Sequence, residues 1–561
     1  MNGKIKLAFS LLLMLISIIF LTRQFSAQNM EIDFFNSFFD PSDSPYEATE
    51  SREARAESEE SGESEESGES EESEESLGFG VVSSNAEAAQ VAYSILDRGG
   101  NAVDAAIAIS YALGVVEPFG SGIGGGGGML IYEPQSSEFT FINYRDSAPI
   151  SSPNRSGYVG TPGLVKGMEL IHYEFGALPF GDLIQPSINL SLNGFEVTDQ
   201  LETYLRWNRA YFSDHETFSQ NGVLAVEGDI IRNLPLAETL LQIQQYGSSV
   251  FYSGQIADAI VMNSNLSFED LHQPRVDFMT PVKSQFGDYL IVSAPAPFSG
   301  ATLIQTLLLY EMLEIHNVPF GGEEYLNKLQ RITAVTLHDR LQNIADPHFF
   351  EVDENQMLSE NYLEVLLQSD HVPFGEENES IQTTHFVVID QDGMVVSATN
   401  TLGSLWGTFN EVGGFFLNEA LSNFSTNEYS LNSYEPGKVP RNFTTPTIVM
   451  GSDSVLGIGT PGGNRIVKVL APILYNYLIL DVPLDEAIYQ PRFHFTSSSA
   501  ITLENSRGGT HSVDLATGSF SIIRDRSHFY FGGVQALGYR DGEMFGVSDW
   551  RREGDVLINQ E

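Results

Sequence analysis

The 561-residue chain contains no cysteine, which excludes disulfides, thiolate zinc sites, a cysteine nucleophile and a cysteine-linked lipid anchor. Cations are also scarce. Lys and Arg total 28 against 75 Asp and Glu, a formal net charge of −47. A general nucleic-acid binder needs a basic footprint, so that class is excluded. The 11 histidines are scattered, and none stands in an HExxH or paired metal-ligand spacing. There is no GxSxG elbow. Neither a metal nor another cofactor is implied. What is present is 42% apolar and 11% aromatic, enough to fold and bury a large core.

The two ends of the N-terminal region differ in kind. Lys4 and Lys6 precede an apolar run, Leu7 to Leu21, broken only by Ser10 and Ser17. That is the length of an export-signal core and short of the roughly 20 residues that span a bilayer. Residues 1–27 therefore read as an export signal. Cleavage after Ala27 and retention as a signal anchor both stay open, because Phe25 is bulky for the position before a cut. Residues 51–76 carry 12 Glu and 2 Arg and no apolar residue larger than Ala. Such a run repels itself and cannot bury surface, so 28–76 is expected to be a disordered acidic linker. Leaving out 51–76 still leaves a net charge of −37. An acidic surface of that kind keeps a protein soluble in a salt-rich or alkaline exterior.

From about Leu77 onward the chain alternates buried helices with β-hairpins. Ser84 is placed to cap AEAAQVAYSILDR, ended by Gly99-Gly100, and Asn101 to cap AVDAAIAISYALGVV, stopped by Pro118. Both helices are apolar nearly all round and are expected as buried layers. GMLIYEP, TFINYRD, TTHFVVID, GMVVSATN, TPTIVMG and SVLGIGT read as strands, with helical ATLIQTLLLYEMLEIH among them. The mix indicates a layered α+β protein.

The glycine-rich run 120–128 contains a GxGxxG match, but a helix precedes it and a strand follows, the reverse of a dinucleotide fingerprint. Close backbone packing at the floor of a site is the better use. The segment from Gln382 to Thr401 holds two β-rich runs about Asp392-Gly393, a hairpin signal. Pairing Gln391 with Met394 would set Thr383 opposite Leu402, one residue from Thr401. Two hydroxyls then meet at the open end. A threonine hydroxyl needs a base, and a threonine at a chain terminus has one in its own α-amine, with a pKa of about 8. A purely structural hairpin carries the same pattern. Downstream, Gly462 and Gly463 lie between a strand and the helical run IVKVLAPILYNYLIL, where adjacent N–H groups can make an oxyanion hole or a plain turn.

GGNAVDAAIA, SGIGGGGGML, YRDSAP, PAPFSGAT, QTTHFVVID, PTIV and TPGGNRI together resemble the γ-glutamyltranspeptidase family of N-terminal nucleophile hydrolases, over essentially all of the chain from Phe79. The resemblance implies a four-layer αββα sandwich. It implies a precursor that cuts itself between Gln382 and Thr383 into a large subunit, 77–382, and a small one, 383–561, which stay together as a heterodimer. Thr383 becomes the nucleophile, Thr401 supports its amine, Gly462 and Gly463 form the oxyanion hole, and Arg145 takes a substrate carboxylate.

The sequence departs from the glutathione-cleaving branch at two places. Asn423 stands where that branch has an acidic residue for the substrate ammonium, and Asn442-Phe443 replaces its Ser-Ser pair. VVEPFGSGIGGGGGML, NSYEPGK, GIGTPGGNRI, FFGGVQAL and Trp550-Arg551-Arg552-Glu553-Gly554 are similar instead to the CapD-type branch, the poly-γ-glutamate transpeptidases and depolymerases. That likeness assigns Arg552 to the polymer, with Arg441, Asn464 and Arg465 as further donors. Several guanidinium forks suit a polyanion, provided they form a local positive cleft on an acidic body. The expected activity is cleavage of γ-glutamyl amides in poly-γ-glutamate through a Thr acyl-enzyme, with water or an amine such as cell-wall peptide as acceptor. The expected location is outside the cytoplasm, secreted or anchored. A small-molecule γ-glutamyl hydrolase or glutaryl-type acylase is the enzymatic rival, and an unprocessed wall-binding protein the non-enzymatic one.

Overall fold

The computed structural model describes residues 77–369, 383–504, 520–525 and 528–560. The export signal, the acidic linker and Gln382 lie outside them. Among the described residues no helix is long and apolar enough to cross a membrane.

Strand β1 is Phe79–Ser83. Helix α1, Ala86–Asp97, follows, capped by Asn85, whose side chain accepts from the Ala88 N–H. This corrects the expected cap: Ser84 is one residue too early, and its hydroxyl is engaged by Glu117 and Thr384 instead. Helix α2, Ala102–Val116, opens with the capping box of Asn101 and Asp104 and is buried along its whole length. α1 departs from expectation in burying only one face, through residues such as Ala88, Ala92 and Ile95. In chain order come β2 (Gly126–Glu133), β3 (Glu138–Asn143), α3 (Leu164–Phe175), β4 (Asp277–Met279), β5 (Val282–Phe286) and β6 (Tyr289–Ser293). Helices α4 (Gly300–Met312) and α5 (Glu323–Asn343) precede β7 (Thr384–Ile389) and β8 (Val395–Thr401). Then β9 (Thr447–Met450), β10 (Ser454–Gly459), α6 (Ile466–Leu478), β11 (Gln535–Arg540), β12 (Glu543–Ser548) and β13 (Asp555–Asn559) complete the frame.

Two antiparallel sheets result. One runs β13-β1-β7-β8-β2-β3-β4, the other β12-β11-β10-β9-β6-β5. Side-chain alternation sorts each strand between layers. In β7, Val387 and Ile389 join Val292, Ile448 and Leu537 of the second sheet in an inner core. Phe386 and Val388 point the other way, into a core shared with α1, α2 and α3. The far face of the second sheet, with Val449, Leu456 and Ala536, packs on α4, α5 and α6. Helix, sheet, sheet, helix is the expected αββα order. Both sheets draw strands from either side of position 383, β1–β4 with β7, β8 and β13 in one, β5 and β6 with β9–β12 in the other.

Candidate active site

The hairpin β7–β8 sets the centre of the site. Its register pairs Thr384 with Asn400 and Ile389 with Val395, so the next pair outward is Thr383 with Thr401. The sequence reading was one residue off, and the turn explains it. The Asp390 carboxylate accepts from the N–H groups of Asp392 and Met394, and Gly393 takes φ +80°, making a three-residue loop rather than two. The two threonines thus face each other directly. Alternation places Thr383, His385, Thr399 and Thr401 on the inter-sheet face. There His385 Nδ1 lies 2.9 Å from Thr399 Oγ1, and burial pushes its pKa down to about 3, so the ring is neutral. Gly459 is obligatory opposite it: a Cβ there would stand 2.2 Å from His385 Cε1.

The glycine run lines the other side. A Cβ on Gly125 would lie 2.4 Å from the Thr401 carbonyl oxygen, and one on Gly120 would lie 3.8 Å from the Thr383 nitrogen. Close approach is what the expected floor of a site requires. Gly403 N–H donates to Thr401 Oγ1 at 2.9 Å, aiming that hydroxyl.

Beyond β10 the chain turns through Gly462 (φ +144°) and Gly463 (φ +57°) into a short 3-10 turn and then α6. The first bonds of that turn run from Arg465 N–H to Gly462 C=O and from Ile466 N–H to Gly463 C=O. The N–H groups of Gly462 and Gly463 therefore lie outside the helix's own ladder. Gly463, Thr383 and Thr401 line one cleft of about 710 Å³, which Arg145, Asn423, Arg441, Asn442 and Phe443 also line. Its described lining holds two arginines and no Asp or Glu.

The predicted residues divide accordingly. Thr383, Thr401, Gly463, Arg145, Asn423 and Arg441 meet in the cleft, with Gly462 adjacent in the chain. Asn464, Arg465 and Arg552 are not among its lining residues. Arg465 is buried and stacks on Tyr530, 4.2 Å from the ring centre. Arg552 is buried near Phe529, and its three guanidinium nitrogens find no hydrogen-bond partner among the described residues. Arg441 has a structural duty as well, since Nη1 donates to the carbonyls of Arg340, Leu341 and Ile344 at the end of α5.

Four residues escaped the sequence reading. Asp146 pairs with the Arg145 guanidinium. Burial pushes the carboxyl up to about 7 against the pull of that arginine. Asn432 holds the cleft wall, donating to the Asn423 carbonyl and accepting from Arg441 N–H. Asn418 donates to the carbonyl of Gly124 in the glycine run and to that of Gly160. Arg340 stacks 3.7 Å from the Phe443 ring centre and donates to the Asn442 carbonyl, holding both residues of that pair. Only Asp146, next to Arg145, left a signal in the sequence.

Residues 88–558 match the family model described as gamma-glutamyltranspeptidase. The capsule biosynthesis protein CapD proenzyme of Bacillus anthracis is 40% identical over 487 residues, covering 86% of this chain and 91% of that protein. The glutathione hydrolase proenzyme of Escherichia coli K12 is 29% identical, covering 85% and 91%. Among solved structures, a cephalosporin acylase from Bacillus halodurans superposes with a TM-score of 0.75 at 23% identity, covering 92% of this chain and 99% of that one, a likeness of fold.

Proposed function

The chain belongs to the gamma-glutamyltranspeptidase family and is an enzyme of γ-glutamyl hydrolysis and transfer, and we propose that poly-γ-glutamate is its substrate and Thr383 its self-released nucleophile. The observation that carries the substrate is the cleft lining: two arginines and no carboxylate among the described residues, in a chain of net charge −47. An internal unit of the polymer presents a carboxylate and an amide where free glutamate presents a carboxylate and an ammonium. Arg145 and Arg441 suit the carboxylates, and neutral Asn423 suits the amide. A free ammonium would find no lining carboxylate among the described residues to pair with. Arg552, a buried cation without a hydrogen-bond partner among the described residues, has donors to spare for a further carboxylate.

Maturation and turnover use the same atoms. In the precursor, Thr383 Oγ attacks the Gln382 carbonyl and the C–N bond yields to an ester. Water then cleaves the ester, leaving a carboxylate on Gln382 and a free amine on Thr383. The two pieces stay together because both sheets are built from both of them. In turnover that amine takes the Thr383 hydroxyl proton while Oγ attacks a γ-glutamyl carbonyl. The N–H groups of Gly462 and Gly463 hold the developing oxyanion, and Thr401 orients the amine. The departing nitrogen takes the proton. Water or an incoming amine then resolves the acyl-enzyme, giving depolymerisation or transfer, for example to cell-wall peptide. Export to the cell exterior, by the signal read at 1–27, brings enzyme and polymer together.

The test is incubation of purified protein with poly-γ-glutamate, with and without a dipeptide amine, followed by product sizing. Shortened chains, and amine-capped chains when the dipeptide is present, are expected. Hydrolysis of glutathione with no shortening of the polymer would turn the assignment to a small-molecule hydrolase.

A further inference from the structure

On the face of β7 turned away from the cleft, Thr384 begins a chain of buried polar groups that the reaction above does not use. Ser84 Oγ lies 2.8 Å from Thr384 Oγ1 and donates to Glu117 Oε1 at 2.9 Å. All three residues are buried. An ionised Glu117 only accepts, so Ser84 donates to it and the Thr384 hydroxyl donates to the Ser84 oxygen or to Glu117 itself. Thr384, Ser84 and Glu117 form one buried cluster. Burial raises the Glu117 pKa, while nearby Arg552 and the two hydroxyls pull it down and Glu553 adds to the rise.

The placement of Glu117 links this chain to both threonines. It caps the end of α2, and its carbonyl accepts from Gly120 N–H at 2.9 Å and Ser121 N–H at 3.1 Å. A Cβ on Gly120 would only just reach the Thr383 backbone, 3.8 Å from its nitrogen, and the Gly120 carbonyl accepts from Leu402 N–H, next to Thr401. One residue thus anchors Thr384 through its side chain and the glycine floor through its backbone. We infer that Glu117 and Ser84, acting through Thr384, are positioning residues that hold the Thr383 backbone in register with Thr401. The inference rests on Thr383 being the nucleophile. A free chain end has no preceding peptide to hold it, so after the cut its direction depends on the first anchored residue, Thr384. Misplacement of a reacting group by about 1 Å can cost roughly 100-fold in rate.

The test uses the full chain with Thr384→Val, which removes the hydroxyl and keeps the shape, Thr384→Ser, which keeps the hydroxyl, Ser84→Ala and the Thr384→Val/Ser84→Ala pair. Fragment formation is followed by gel, and kcat and KM of the processed protein by release of p-nitroaniline from γ-glutamyl-p-nitroanilide. Each loss of a link is expected to lower kcat about 10- to 100-fold with KM within about twofold. Thr384→Ser is expected to restore kcat, and the double variant to be no worse than either single one, because both break the same chain. Glu117→Ala is expected to fall with the others. Wild-type kcat in processed Thr384→Val, no rescue by Thr384→Ser, or losses that multiply in the double variant would each overturn the inference. Thr383→Ala, run alongside, separates the two levels: an inert Thr383→Ala beside a fully active Thr384→Val removes the clamp alone, whereas an active Thr383→Ala removes the nucleophile assignment.

Discussion

Asn423→Asp tests the electrostatic logic of the cleft at one atom. Asn423 is half-buried in the lining, its carbonyl pinned by Asn432, so a carboxylate of nearly the same shape enters without moving the wall. Two opposite charges 4 Å apart attract by about 4 kcal/mol at an effective dielectric constant of 20. Partial exposure and desolvation reduce this to about 1.4 kcal/mol, or tenfold, for the ammonium of a free γ-glutamyl compound. The same charge opposes the carboxylates of the polymer and competes for Arg145 and Arg441, a loss of similar size. The ratio of kcat/KM for poly-γ-glutamate over glutathione should therefore fall about 100-fold, half from each substrate. The assay is that ratio in wild type and variant at fixed, low salt, since screening shrinks both parts. A ratio that moves less than about threefold, or toward the polymer, would refute the reasoning.

Other perturbations bear on the same account. Thr401→Val, which keeps the shape but loses the hydroxyl that Gly403 N–H aims, should lower kcat roughly 10- to 1000-fold in fully processed enzyme, read by single-turnover acylation. Arg552→Ala tests whether the polymer extends past the cleft to that buried guanidinium: a larger rise in KM for polymer than for a γ-glutamyl anilide is expected, and equal effects on both would remove it from the polymer site. His385, buried neutral with its pKa near 3 against about 6.5 when unfolded, favours the fold above pH 6.5. The unfolded chain binds the extra proton between pH 6.5 and 3, so stability from this group is lost as pH falls through that window. Urea midpoints of wild type should accordingly drop more steeply from pH 6.5 to 4 than those of His385→Gln.

Much of the frame was legible because its signals are local. Apolar β-rich runs located β2, β3 and β7–β10, the Asn101 cap located the start of α2, and the Asp-Gly turn brought Thr383 toward Thr401. The errors are local too. The Asp390 side chain captures two turn N–H groups and lengthens the loop by one residue, which no strand pattern reveals. Ser84 looks like a helix cap, yet its hydroxyl goes to Glu117 and to Thr384, 300 positions away. Distant pairings of that kind hid the rest of the site: Arg340 under Phe443, and Asn418 against Gly124. The four arginines were visible as residues, but only the fold separates Arg145 and Arg441, which line the cleft, from Arg465 and Arg552, which do not.

The central claim is that Thr383 becomes a chain terminus by its own attack. The most direct measurement is N-terminal sequencing of the smaller fragment of purified protein, compared with Thr383→Ala. The account predicts a fragment of the 179 residues 383–561, roughly 20 kDa by proportion, reading TTHFVV, with Thr383→Ala remaining a single uncut chain. A fragment that begins elsewhere, or a Thr383→Ala protein that still splits between Gln382 and position 383, would contradict it.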